Sequence, residues 1–356
     1  MDKRVVKVAI VGCGNIARRA HIPAWLENSN AKIVALCDPS QEAIEKVVSR
    51  YQLKCDQYNS LDEMLASVKK PDVVDICSPG FLHVEQTQQA MAAGCHVLVE
   101  KPPAPSWRVA QELANLAREK GVKLGALLNY RYRDLIVQLK QLSEAGTLGK
   151  LTKVYITHHG PLIYTDASWL WNEKKSKYLV WEFGIHFIDI LIYLLGTPKR
   201  VISVLPFEQP SIGHTTDLEV VIEFESGAVG RLEISSDSTR HSSFFTHINA
   251  YGTGMDAFVR WFPASIRLVA GQLNPIGLIF QEIQSVWNIA RKILNGSFLK
   301  YRNISHYRII DEYVEWIIEE TEYSLSFEKI LPTLKLLDKI EEQIPSYRSN
   351  ESLSIQ

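Results

Sequence analysis

The chain reads as an α/β protein of two domains, and three features of its 356 residues say so. Near-continuous apolar runs alternate with helix-like segments over the N-terminal part, as in a parallel sheet covered on both faces. The first run enters a glycine-rich turn, Gly12-Cys13-Gly14-Asn15-Ile16-Ala17, and an acid, Asp38, ends the second run. Past residue 127 the period changes to alternation of apolar and charged residues, which marks half-buried antiparallel strands. The prediction is a Rossmann dinucleotide-binding domain over 1–127, followed over 128–345 by an α+β domain with an open, mainly antiparallel sheet.

The expected elements follow in order. Strands are read at Val5–Val11, Lys32–Cys37, Asp72–Cys77, His96–Val99 and Val122–Leu127. Helical patterns fall between them at Gln41–Tyr51, Ser60–Val68, His83–Ala93 and Trp107–Lys120, with Gly94 and Gly121 as stop signals. In the second domain Leu218, Val220, Ile222 and Phe224 alternate with Glu219, Glu223 and Glu225. Ser226-Gly227 then turns the chain into a second alternating run, Val229–Ser235, so a hairpin is expected. Further strands are read at Thr152–Thr157, Arg200–Leu205, Phe245–Tyr251 and Asp256–Arg260. Residues 277–295 carry an apolar helical face through Ile279, Ile283, Val286, Trp287, Ala290, Ile293 and Leu294. That segment suits packing on the domain or a subunit interface, with a lid or surface helix as the alternative.

Composition narrows the function classes. A net charge of −1 with 46% hydrophobic residues offers no polybasic footprint for nucleic acid. No run approaches the roughly 18 apolar residues of a membrane span. The chain starts Met1-Asp2-Lys3-Arg4 and passes straight into a strand pattern, so a cytoplasmic protein without a leader is expected. Its five cysteines form no Cys-x-x-Cys pair, which fits a reducing compartment. His158 and His159 are adjacent, point to opposite faces of a strand, and are not expected to bind metal together.

The chemistry-bearing residues start at the glycine turn. Gly12 permits the tight exit from the strand, Gly14 lets the backbone approach a pyrophosphate, and Ala17 allows close helix–strand packing. Free N–H groups at the following helix start suit the phosphates. Asp38, about 20 residues on, is placed to bond the adenosine ribose. Its charge repels a 2′-phosphate, and Pro39-Ser40-Gln41 offers no arginine, so NAD is favoured over NADP.

Lys101 follows the fourth strand in Val99-Glu100-Lys101-Pro102-Pro103. Ligands of doubly wound sheets lie beyond the carboxyl ends of the strands, so a lysine there can stabilise a developing alkoxide. By itself it is also an ordinary solvated lysine, and Pro102 is a candidate for a cis bond. Further on, Glu182, His186 and Asp189 recur at helical spacing beside an apolar run that ends at Gly196. Polar groups on one side of an apolar helix need partners or a cavity. A histidine among them suits proton transfer, and a core histidine held by Asp189 is the alternative.

Taken together these segments resemble the glucose–fructose oxidoreductase / inositol dehydrogenase (Gfo/Idh/MocA) family. The resemblance runs from about residue 5 to 250. It rests on the glycine turn, Ser78-Pro79 with Leu82-His83, Ala93-Gly94-Cys95-His96-Val97-Leu98-Val99-Glu100-Lys101-Pro102, Asn129 with Arg131, Gly149-Lys150, and Gly184-Ile185-His186 with Asp189. It implies NAD(P)-dependent oxidation or reduction of a sugar, cyclitol or nucleotide sugar. It implies cofactor contacts from Gly12, Gly14, Asn15, Ile16 and Asp38, from Ser78, Pro79 and His83 lining the cleft, from Glu100 near the nicotinamide ribose, and from Lys101. Lys101 is then the substrate-orienting lysine and His186 the proton acceptor or donor, with Asp189 or Glu182 orienting or charging the histidine. A substrate position between the domains and a homodimer or homotetramer through the C-terminal sheet are also implied. Three departures stand out: Gly80 where the family often has Asn, Ser176-Lys177-Tyr178 in place of a Gly-rich run, and Glu182 where Asp is usual.

Tyr130, Arg131, Tyr132, Trp169 and Trp171 are candidate substrate-pocket residues, since aromatic faces suit sugar rings, with core and interface packing as their alternative reading; Glu182 is a further candidate there. The leading expectation is a dehydrogenase or ketoreductase of a carbohydrate secondary alcohol, with no metal. A redox-neutral glycosidase-type reaction through transient C3 oxidation, and a non-catalytic cofactor-binding protein, are the alternatives.

Overall fold

The structure is a computed structural model that describes residues 4–67, 70–160, 178–209, 214–236, 245–261, 264–270 and 303–344, together with 283, 286, 287, 290, 291 and 294. The chain divides into two compact units. The first is Met1–Asn129 with Asn303–Leu331, and the second is Tyr130–Arg302 with Pro332–Gln356.

The first unit is built on strands β1 (Val6–Val11), β2 (Ala31–Cys37), β3 (Asp56–Tyr58), β4 (Val73–Ile76), β5 (His96–Val99) and β6 (Leu124–Ala126). They lie in the order 3-2-1-4-5-6, all parallel, which is the Rossmann arrangement. The burial of β4, with all four residues enclosed, shows why its sequence is nearly all apolar. Helices α1 (Ile22–Glu27), α2 (Gln41–Tyr51), α3 (Leu61–Ala66), α4 (His83–Ala92) and α5 (Trp107–Lys120) connect the strands. Ser40, Ser60 and Ser106 cap α2, α3 and α5 by accepting from backbone N–H groups of the first turn. β3 is a short, half-buried edge strand that the periodicity does not reveal.

α1 is entered through a π-helical turn, Ala17–His21. Pro23 has no N–H to give the carbonyl four residues earlier, so a regular helix cannot close there. The Arg19 carbonyl instead accepts from the Asn303 side chain at 2.6 Å.

The first unit is completed by chain returning from far along the sequence, whereas the sequence reading kept everything past residue 127 in the second domain. Helix α8 (Ile304–Glu319) buries Ile309, Ile310, Tyr313, Val314 and Ile317. Asn28 donates to Asp311 at 2.7 Å, and Tyr323 donates to the Ala126 carbonyl at 3.0 Å. Ser326 forms an antiparallel bridge with Gly125 beside β6. The division falls at Leu331/Pro332, inside helix α9 (Phe327–Glu341).

The second unit holds strands β7 (Leu151–His159), β8 (Pro198–Gln209), β9 (His214–Phe224), β10 (Val229–Ser235), β11 (Phe245–Gly252), β12 (Asp256–Arg260) and β13 (Ser265–Val269). Their order is 13-12-11-7-10-9-8, and every pairing is antiparallel except β10 with β7. The hairpin read around Ser226-Gly227 is the β9–β10 pair. Leu218, Val220, Ile222 and Phe224 point to its buried face. The opposite face carries half-exposed polar groups, including Arg231 bridged to Glu219 and Glu233. Helices α6 (Asp134–Glu144) and α7 (Ile185–Leu195) belong to this unit. Within α7, Ile185, Phe187, Ile188, Ile190 and Leu191 are all enclosed, each worth about 1.5–3 kcal/mol of transfer free energy.

All five cysteines are free. Among the described residues no helix is long and apolar enough to cross a membrane. Of the 277–295 segment, Ile283, Val286, Trp287 and Leu294 are exposed and Ala290 is half-buried, so at the four exposed positions the apolar face is not packed on its own chain; Ile279 and Ile293 lie outside the described residues.

Candidate functional site

The glycine turn of the first unit has the shape of a phosphate cradle. Gly12 sits at φ +91°, and an added Cβ would come within 2.8 Å of the Cys77 carbonyl carbon and the Ser78 nitrogen. Only glycine fits that crossing of two strand ends. At Gly14 an added Cβ would meet nothing within 4 Å. Gly14, Asn15 and Ile16 are exposed while Ala17 is fully buried, so the turn offers its backbone outward. Asp38 is fixed at the end of β2: Oδ2 accepts from the Cys13 N–H at 2.7 Å and Oδ1 from the Ser40 N–H at 2.8 Å. A carboxylate has about four acceptor positions, so further hydrogen bonds from ribose hydroxyls remain available. A side chain's worth of open space, outward amides and a held acid fit the adenosine diphosphate half of a dinucleotide.

Beyond β4 and β5 the loops are tied together. His83 is fully buried, with Nδ1 2.8 Å from the Pro102 carbonyl oxygen and Nε2 2.8 Å from the Ser78 carbonyl oxygen. The Ser78 hydroxyl donates to Gln86 at 2.6 Å, and Pro79 starts the short turn before α4. His83 thus fastens two loops, while Ser78 and Pro79 remain half-buried. The Lys101–Pro102 peptide bond is cis. Glu100 accepts from the Lys101 N–H through Oε2 at 2.9 Å and meets His21 through Oε1 at 2.9 Å. Burial works to raise the pKa of Glu100, but the hydrogen bond and charge of His21, helped by His306 and Lys101, outweigh it and hold it at about 2.

The second unit gathers the histidine cluster. A π-helical turn, Tyr178–Gly184, leads into α7, so Glu182 lies in that turn and His186 in the first turn of the helix. Glu182 and His186 are both buried. The Tyr130 ring stacks on His186 at 4.0 Å between centroids, with an interplanar angle of 14°. The Arg133 guanidinium caps the same aromatic group, 4.6 Å from the Tyr130 centroid and 4.0 Å from that of Trp261.

Asp189, expected to orient or charge His186, is engaged by Arg131 instead. Arg131 Nε donates to Oδ2 at 2.7 Å and Nη2 donates to Oδ1. The planar guanidinium matches a carboxylate with two parallel bonds, which no histidine can do. The Thr333 hydroxyl also donates to Oδ1, at 3.4 Å. Burial works against the charge of Arg131, and Asp189 outweighs it, so its pKa is raised. Arg131, expected in the substrate pocket, is thereby buried in an ion pair on α7, with its guanidinium 5.1 Å from the Tyr193 ring. Tyr132 shares the turn that carries Tyr130, and Trp169 and Trp171 lie outside the described residues.

Arg133, Trp261, Thr333, His21, Asp75 and His306 are not among the residues that sequence order points to as functional. Asp75 carried a signal: it is an acid inside the fully enclosed strand Val73–Ile76, where a charge needs a partner. The others become neighbours only through tertiary contacts.

Comparisons with known proteins agree with this architecture. Residues 6–127 match the model of an oxidoreductase family with an NAD-binding Rossmann fold, and residues 136–255 match the GFO/IDH/MocA C-terminal domain. The D-glucoside 3-dehydrogenase of Escherichia coli is 33% identical over 204 residues, covering 56% of each chain. The glucose-6-phosphate 3-dehydrogenase of Bacillus subtilis is 29% identical over 231 residues, 64% of each chain. The matches thus span less than two thirds of these relatives' lengths. The WlbA dehydrogenase from Bordetella pertussis, solved with NADH and UDP-GlcNAcA, has the same fold with a TM-score of 0.78; at 20% identity the match covers 98% of this chain and 97% of that one. With both domains matched in order and the sheets arranged as described, the chain belongs to the GFO/IDH/MocA family of oxidoreductases.

Proposed function

We propose that this protein is an NAD-dependent dehydrogenase of a secondary ring alcohol on a glucose-type sugar. The carrying observation is the cradle formed by Gly12, Gly14 and Asp38 in the unit that also presents Lys101 from a backbone fixed by Glu100. Family membership supports the reaction class, and the two curated relatives, both named 3-dehydrogenases of glucose derivatives, support the substrate class. Asp38 favours NAD, because a carboxylate held by two backbone amides repels a 2′-phosphate.

When bound, the nicotinamide cofactor supplies the hydride acceptor or donor. Lys101 donates a hydrogen bond from its ammonium to the reacting oxygen and stabilises the alkoxide. His186 takes the hydroxyl proton in the oxidative direction and returns it in the reverse. Tyr130 keeps the imidazole plane fixed by stacking, and the Arg131–Asp189 pair ties α7 to the turn that carries Tyr130. Glu182, buried in the π-helical turn before α7, is the candidate acid facing the sugar. The apolar residues Ile202, Leu205 and Phe207, exposed on the edge strand β8, support self-association through this sheet into a homodimer or homotetramer.

The test is an absorbance assay for NADH with NAD+ and a panel of methyl D-glucosides, glucose 6-phosphate and UDP-linked sugars. His186→Ala is expected to lower kcat by about 10²–10⁴-fold while leaving NADH affinity, read from tryptophan fluorescence, unchanged. Unaltered turnover in that variant would remove His186 from the mechanism. The names of both relatives point to position 3, which is also where a second, redox-neutral reading requires the transient oxidation to occur. Glycoside cleavage without NADH accumulation would select it.

A further inference from the structure

We propose that His21 is a positioning residue for Lys101, acting through a buried Asp75–His21–Glu100 chain of hydrogen bonds. The inference rests on the reading of Lys101 as the substrate-orienting lysine.

Neither His21 nor Asp75 has exposed surface. Its Nδ1 lies 2.8 Å from Asp75 Oδ2 and 3.1 Å from Oδ1, and its Nε2 lies 2.9 Å from Glu100 Oε1. A ring that faces carboxylate oxygens at both nitrogens bonds both only as the imidazolium. Burial opposes that charge, and Asp75 outweighs it, so the pKa of His21 is raised well above its usual value. The far end of Asp75 is held too: Trp25 Nε1 donates to Oδ2 at 2.7 Å. At the other end Glu100 is occupied through both oxygens, one by His21 and one by the Lys101 N–H. Its orientation is therefore fixed, and with it the backbone from which Lys101 projects. The Pro102 carbonyl, one residue on, is secured separately by His83.

Stability alone does not call for this arrangement. Apolar side chains of similar volume often stabilise a core as well as a buried ionic cluster does. What the charged chain supplies is direction, since each bond defines an angle and apolar contact does not. The local fold serves it as well. The π-helical turn forced at Pro23 ends on His21, and π-bulges recur at functional sites.

A metal centre is the competing use of the cluster, because ligand atoms of His21, Glu100 and His306 lie within 4.8 Å of one another. With both His21 nitrogens already committed to carboxylates, an ion would have to displace a proton and a hydrogen bond.

The experiment compares full-length wild type, His21→Leu and His21→Gln, each checked for folding by circular dichroism. The first readout is the acetylation rate of Lys101 by acetic anhydride between pH 7 and 11, followed by mass spectrometry against exposed Lys120. It needs no sugar. The second readout is kcat and the KM for NAD+ on a sugar that the wild type oxidises. His21→Leu is expected to change Lys101 labelling by about threefold or more and to lower kcat about 100-fold, with the KM moving less than about threefold. His21→Gln, whose amide can donate to Glu100, is expected to recover most of both. A folded His21→Leu protein with wild-type labelling overturns the proposal. So does one zinc ion bound per chain at the cluster. Should His21→Leu fail to fold, Asp75→Asn takes its place with the same readouts, since it keeps an acceptor for Trp25 and removes the charge. If the wild type oxidises no sugar, the dehydrogenase reading fails while the labelling comparison still decides the role of His21.

Discussion

At the scale of single residues, the two glycines of the turn do different work, and the difference is testable. Gly12 is required by the fold, because its φ and the approach of the Cys77 backbone exclude a side chain. Gly12→Ala is expected to destabilise the protein by about 1–3 kcal/mol, seen as a lower melting temperature. Gly14 faces open space. Gly14→Val is expected to keep the melting temperature and to weaken NADH binding at least about tenfold, since its side chain takes the volume of the pyrophosphate. Asp38→Asn removes the charge and keeps one acceptor. The ratio of NADPH to NADH affinity, from fluorescence titration, is expected to rise about tenfold, as one removed repulsion of roughly 1.4 kcal/mol requires. The Gly-x-Gly-x-x-Ala motif and the acid were readable because this chemistry is local. That Gly12 abuts Cys77 was not, since the contact spans strands far apart in sequence.

At the scale of elements, the apolar run of α7 showed a buried helix, and its polar residues showed that something must face them. Helical spacing put His186 and Asp189 on one side, but it could not see Arg131 arriving from the turn before α6. The ion pair is nearly enclosed, with Asp189 at 1% exposure and Arg131 at 9%. Removing one partner leaves an uncompensated charge inside. Asp189→Asn is therefore expected to cost about 3–5 kcal/mol, read as a lower urea midpoint, whereas a function confined to catalysis would lower kcat with the midpoint unchanged. The entry to α1 teaches the same lesson. Pro23 lacks the N–H that a regular helix would use there, and only the fold shows Asn303 filling the vacated bond.

At the scale of the whole molecule, buried ionisable groups set how stability depends on pH. Glu100 is held at about 2, so its contribution is complete above its unfolded value near 4.3 and is lost as pH falls towards 2. His158 is pushed down to about 4 by burial. Between there and about 6.5 the unfolded chain binds the extra proton, so stability rises with pH. His21 acts oppositely: its raised pKa gives stability that is complete below about 6.5 and is lost as pH climbs through the folded value. The urea-unfolding free energy is expected to peak near neutrality. Above about 6.5 the His21 term declines as pH rises, before the raised thiols of Cys13 and Cys37 add their own slope. That decline is expected to be absent in His21→Gln; an equal slope in both proteins would show that His21 is not charged.

The sequence by itself determined what depends on neighbours along the chain. It determined the period of the strands and helices read above, the phosphate turn with its distant acid, the Lys101 segment after what the fold shows to be β5, and the change of sheet type beyond it. Short-range sterics, capping and alternation write these directly into residue order. Tertiary structure decided what depends on residues brought together from afar. It returned 303–331 to the first unit, paired β10 with β7 in parallel, gave Asp189 to Arg131, and enclosed His21 between Asp75 and Glu100. The reason is that a buried charge or a strand edge must be satisfied by whatever the fold places beside it, and sequence order does not state which residue that is.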